Sequence, residues 1–144
     1  MQMTAFIYDL LNKIGYTHPL HPAIVHFPIG VAMVAVIALL IAHKSNNSTY
    51  ATTAYHCQVF GLVSVPLTMF VGYMDWQQFY NGAPNGHIHI KIVLGFALMA
   101  AFAYSALVGR KGDLMNRKFT LSTVAGLLLA IGIGFVGGEL QYGG

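Results

Sequence analysis

Four stretches of this 144-residue chain are apolar over nearly the length that a bilayer demands, and that feature decides what it can fold into. A helix rises about 1.5 Å per residue, so about 20 apolar residues cross a hydrocarbon core of about 30 Å. The stretches run approximately over 22–42, 52–73, 88–108 and 119–136, and the first and fourth contain no Asp, Glu, Lys or Arg. Short polar connections at 44–50 and 109–118 make neighbouring helices antiparallel. The expected fold is all-α, a four-helix integral membrane bundle forming one transmembrane domain over residues 1–144. Composition agrees. Only 8% of the residues are charged, where a water-soluble domain carries about 25%, which argues against a globular enzyme. Seven Lys and Arg in all leave no basic patch for nucleic acid.

Residues 4–16 place Phe6, Leu10, Leu11 and Ile14 on one helical stripe, with Asp9, Asn12 and Lys13 elsewhere, as expected of a short interfacial helix lying on the membrane. The N-terminus lacks the basic start, long apolar run and small-residue cleavage site of a secretory signal, so the first span is expected to act as an uncleaved anchor. The connections after the first and third spans carry Lys44, Arg110, Lys111, Arg117 and Lys118, against Lys13 and Lys91 on the other side. That bias puts the two connections in the cytoplasm and both termini outside, facing the periplasm of a Gram-negative cell or the exterior of another.

Antiparallel topology then gathers chemistry at the outer face. His18, His21 and His26 open the first span, Asp75 and Trp76 close the second, His87 and His89 open the third, and Glu139 and Tyr142 follow the fourth. The stretch HPLHPAIVHFP over residues 18–28 is the most specific local signal. Pro19 and Pro22 should keep the preceding histidines extended, Pro22 suits the first helical position, and Pro28 removes the hydrogen bond to the Ile24 carbonyl. Bent backbone at membrane depth survives only where protein buries it or a cavity hydrates it. The competing reading is a rigid interfacial lead-in with histidines among the headgroups.

His21 and His26 are about 140° apart on an ideal helix, so an unbroken helix would not let both grip one ion. His26 is the deeper of the two. His87 and His89 point in different directions, and His89 is weakly favoured as the one facing inward. Asp75 and Glu139 are candidate partners for a histidine N–H, orienting the imidazole; each also suits a turn or an ion pair. His43, His56 and Cys57 gather at the opposite face, as a weaker second site. Glycines are dense on the fourth span, and Gly134 and Gly138 match a small-xxx-small face that suits association with a second copy. Met69, Met74 and Met99 are conceivable axial ligands, though filler is the commoner role of methionine.

The motifs HPLHPAIVHFPIG at residues 18–30, GYMDW at 72–76 and GFVGGELQY at 134–142 together resemble a bacterial family of four-helix membrane proteins, domain of unknown function 2231. The resemblance covers nearly the whole chain. It implies a redox setting, because members occur fused to or beside Rieske and cytochrome c modules. It also implies a His-x-x-x-Asn at the start of the third span; here His87 is followed at that spacing by Lys91, which leaves His87 and His89 both open.

One cysteine, Cys57, excludes a disulfide framework, a thiolate iron–sulfur cluster and covalent Cys-x-x-Cys-His haem within the chain. The expectation is therefore a b-type cytochrome module holding haem b through His21 or His26 opposite His87 or His89. Such a protein passes electrons between a quinol or membrane oxidoreductase and a cytochrome c or Rieske partner, and is an electron-transfer component rather than a stand-alone enzyme. The rival uses His21, His26 and His89 with a carboxylate to bind Zn or Cu, and the second rival is a cofactor-free membrane subunit.

Overall fold

A computed structural model describes residues 2–84 and 86–142. It contains α1 (Gln2–Lys13), α2 (His21–Ile24), α3 (His26–Ser45), α4 (Ser48–Phe79), α5 (Gly86–Gly109) and α6 (Arg117–Tyr142). Four segments are long and apolar enough to cross a membrane, His21–Ser45, Ser48–Phe79, Gly86–Gly109 and Arg117–Glu139. Each expected span lies within one of them, apart from Pro22 and its neighbours falling in α2. The helices close into a ring in which α3 packs on α4 and α6, and α5 packs on the same two.

Local chemistry sets the turns. Asn46 caps α3 in the left-handed conformation, φ +50°, with its amide donating to the Ala42 carbonyl. The Asn47 side chain then accepts from the Thr49 amide at 2.9 Å and opens α4, so two adjacent asparagines reverse the chain. At the start of α6, Asn116 accepts from the Phe119 amide at 2.8 Å in the same way.

The interior is built from small residues. Ala32, Ala35, Ala38 and Ala42 line the inward face of α3, and Ala51 and Ala54 that of α4, which brings the backbones close. Two apolar clusters result. One, toward the α1 end, contains Ala32, Val65, Leu98, Phe102, Ala130 and Ile133; the other, toward the α3–α4 turn, contains Ala35, Leu39, Ala42, Ala51, Ala54 and Phe119. Large apolar side chains instead point out, with Val63 and Phe135 each 70% exposed. Water would oppose that arrangement and lipid favours it.

The expected interfacial helix, 4–16, forms as α1. Phe6, Leu10 and Ile14 remain exposed on its apolar stripe, whereas Tyr8, on another face, is buried against α4. Its ring meets Phe79 edge-on with centroids 5.3 Å apart.

Candidate functional site

The start of the first span has no side-chain cap of its own, so its free backbone N–H groups need an acceptor from elsewhere. Asp75, in the last turns of α4 and only 5% exposed, supplies it. Its Oδ2 accepts from the His21 amide at 2.8 Å, and its Oδ1 from the Leu20 amide at 3.2 Å and from the Tyr8 hydroxyl. A carboxylate there also complements the positive end of the helix dipole. Burial, then the hydrogen bond and charge of Asp75, push the Tyr8 hydroxyl well above the ordinary phenol range, so it remains a donor. One buried carboxylate thereby ties α1, α2 and α4 together.

That clamp fixes His21. Its Nδ1 lies 3.1 Å from the Thr68 carbonyl oxygen, which can only accept, so Nδ1 carries the proton and Nε2 keeps its lone pair. Nε2 is buried and has no hydrogen-bond partner among the described residues. Gly72 makes room for the ring, since a Cβ at that position would come within 2.8 Å of Nδ1. His21 is helical rather than extended, and Pro22 is the second residue of α2 rather than the first, because Asp75 draws the helix start back to Leu20.

His21 lines a cavity of about 480 Å³ at the α1 end of the ring. Its walls are mostly apolar and include Val65, Met69, Leu98 and Ile133, with Gly72, Gly95, Gly134, Gly137 and Gly138 removing side chains from three helices. Lys91 also borders it, and the Lys91 Nζ would stand 3.6 Å from a Cβ at Gly137. The cavity thus offers the free His21 Nε2 as an acceptor, one cation and mostly apolar walls. Asp75 borders it too, with its charge already engaged by three donors.

Of the other expected ligands, His26 also borders the cavity, but it is exposed where His21 is half-buried. Val25 parts α2 from α3 but is itself right-handed helical, and its amide donates to the His21 carbonyl at 2.9 Å, so the helical path runs on into α3. His89 faces away from the interior, its ring edge-on to Trp76 at 6.3 Å, and His87 is also exposed. Between them Ile88 is buried, opening an inward stripe of Ile88, Lys91, Gly95, Leu98, Phe102, Ser105 and Gly109 at alternating steps of three and four. Neither histidine is the inward-facing member; Lys91, where the family pattern has Asn, is.

Glu139 is exposed, and Tyr142 belongs to the final helical residues whose side chains lie outside the described part. At the opposite end, His43 Nε2 lies 3.1 Å from the Thr120 hydroxyl, and His56 is exposed beside Tyr55. Among the described residues, no group of three His, Cys, Asp or Glu side chains is arranged to hold a metal ion. The α6 glycines are not a tight packing seam within the chain: a Cβ at Gly138 would meet nothing within 4 Å, and one at Gly134 only Ile29 at 3.9 Å. Thr68 and Tyr8 escaped the sequence reading, and Lys91 figures there only as an orienting cation and a departure from the expected motif, although it is the one charge within its apolar stretch.

Comparison with known proteins agrees with the architecture. A family model described as "Predicted membrane protein (DUF2231)" matches residues 17–144, and the chain belongs to that family. No curated protein and no solved structure matches the chain.

Proposed function

We propose that this membrane protein is a haem-b electron-transfer module whose cofactor site is the cavity beside His21. The observation that carries the reading is the His21 ring: Nδ1–H is anchored on the Thr68 carbonyl, and the buried Nε2 lone pair is unpartnered. An unsatisfied buried nitrogen is costly, and an anchored Nδ1–H is the arrangement that orients a metal-ligating imidazole. The residues fit a flat, apolar, acid-bearing group. His21 would hold the iron, the glycine walls would accept the macrocycle's faces, and Lys91 would pair with a propionate. Met69 and His26, also on the cavity wall, are further side chains that could help to hold the iron. When bound, haem supplies one-electron chemistry, and the chain's part is to exclude water and tune the iron through the His21–Thr68 bond.

A closed Zn or Cu site is less well supported, because it needs three or four converging side chains, and no group of three His, Cys, Asp or Glu side chains converges among the described residues. With the termini outside, the cavity lies in the outer leaflet of a bacterial inner membrane. A quinol oxidoreductase would then be the donor class, and a cytochrome c or Rieske protein the acceptor class.

The test is the absorption spectrum of detergent-extracted protein expressed with ample haem. The expected result is a Soret band that acid acetone removes and His21→Ala abolishes. A wild-type protein without a Soret band, or an unchanged band in His21→Ala, overturns the reading.

A further inference from the structure

The interior of α4 is polar where an interior is expected to be apolar. Gln58, Ser64, Thr68 and Asp75 are all buried on one face, while Val63, Leu67 and Phe70 point out. Ser64 and Thr68 satisfy their hydroxyls on carbonyls of their own helix, at 3.0 and 2.9 Å, and Asp75 has its three donors. Gln58 does not. It is 0% exposed, and neither its Nε2 nor its Oε1 has a partner among the described residues.

Register shows what Gln58 faces. The Phe102 ring lies against Gly61 and Gly126, where added Cβ atoms would approach it to 2.7 and 3.7 Å, so residues 61, 102 and 126 share a level. Three residues farther toward the α3–α4 turn are Gln58 on α4, Ser105 on α5 and Thr123 on α6, with Ser122 beside it. All four are buried. Ser105 donates to Ser122 at 2.8 Å and Ser122 to the Phe119 carbonyl at 3.0 Å, whereas the Thr123 hydroxyl, at 0% exposure, is unpartnered. This layer lies between the two apolar clusters, with Phe102 separating it from the large cavity and Phe119 on its other side.

We propose that Gln58, Thr123 and the Ser105–Ser122 pair form a second, small binding site whose ligand is ordered water. Three unsatisfied atoms from two helices match the two to four partners that a buried water takes. Leaving them dry would cost about 1–3 kcal/mol for each group. A cation is the wrong occupant. The chain's four acids are Asp9, Asp75, Asp113 and Glu139, none of them in this layer, so its charge would go uncompensated in a medium that penalises it heavily. Both a donor pair and acceptors are present, which suits a neutral ligand that does both. The water joins α4 to α6 through side chains that do not bond one another, and it stands about two helical turns from Val65, Leu98 and Ala130 on the cavity wall.

The experiment is NMR of the full chain in lipid nanodiscs, reading water-to-protein cross-peaks at the Gln58 side-chain amide. Persistent cross-peaks are expected, with loss in Thr123→Val because the water loses its second anchor. Cross-peaks that are absent from the wild type, or that survive Thr123→Val unchanged, overturn the proposal. A second measurement does not depend on the spectrum: Gln58→Leu is close in volume and removes both orphan atoms. If the layer holds water, Gln58→Leu lowers the thermal midpoint, and by less in a Thr123→Val background. If the layer is dry, the substitution raises the midpoint and the proposal fails. Neither readout involves haem, so this inference and the cofactor reading stand or fall separately.

Discussion

Replacing Asp75 should loosen the α1 end of the bundle in measured steps, because its carboxylate is the shared acceptor for three elements. Hydrogen bonds to a charged acceptor contribute about 1.5–3 kcal/mol each, and deleting the acceptor leaves buried donors unmet. Tyr8→Phe removes one of the three bonds and should cost about 1.5 kcal/mol, all of it in α1 docking. Asp75→Asn keeps one oxygen but turns an N–H toward a donor, for about 2 kcal/mol. Asp75→Ala abandons Tyr8, Leu20 and His21 together and should cost about 4 kcal/mol, less than three full bonds because water reaches part of the vacated site. Tryptic cleavage after the exposed Lys13, at the end of α1, reads this in nanodiscs, since cutting requires that helix to detach. At about 1.4 kcal/mol per factor of ten, Tyr8→Phe should speed cleavage about tenfold and Asp75→Ala at least a hundredfold. Equal rates in Asp75→Ala and wild type would refute the clamp. A full effect in Tyr8→Phe would show that the bonds to Leu20 and His21 carry nothing.

His21→Ala should abolish cofactor binding, whereas His18→Ala, His43→Ala, His56→Ala and His89→Ala should each retain it, as read by haem per protein. Gly72→Ala should act like a milder His21 substitution, because its Cβ would sit 2.8 Å from the ring, while Gly132→Ala, with nothing within 4 Å, should leave occupancy and thermal midpoint unchanged. The Tyr8 hydroxyl is more basic folded than unfolded, so its contribution is complete below the unfolded phenol value of about 10 and declines as pH rises beyond it. Protease protection at Lys13 should therefore hold through neutral pH and fade only in strong alkali, and fading near pH 7 would contradict this. A reporter that is active only in the cytoplasm should be silent when fused after Gly144, and a strong signal would invert the sidedness of the cavity.

The four spans, their antiparallel order and the placing of His21 and Asp75 at one end of the bundle were legible, because length, apolarity and topology assign residues to one end or the other; that Asp75 takes the His21 backbone amide while the ring goes to Thr68 was not. Topology says nothing of rotation about each helix axis, and that is where the ligand set parted from expectation. In water a hydropathy contrast reveals the buried face; in lipid both faces are apolar and the contrast nearly vanishes, so His89 and His26 could not be oriented by it. The usable signal runs the other way: scattered polar residues mark the interior, since lipid cannot satisfy them. Gln58, Ser64, Thr68 and Asp75 on α4, Lys91 and Ser105 on α5, and Ser122 and Thr123 on α6 all obey that rule, and applied to the sequence it selects Lys91 over either neighbouring histidine. His26 has a further reason. It stands five residues, about 140°, round a continuous helical path from His21, and Asp75 fixes that start by accepting from the Leu20 and His21 amides across more than fifty residues, a contact with no local signature. The same contact holds His21 from both sides, by Asp75 at its amide and Thr68 at its ring. A site built on one such nitrogen predicts a steep mutational contrast: losing either anchor should move the ligand atom, whereas losing any exposed histidine should not.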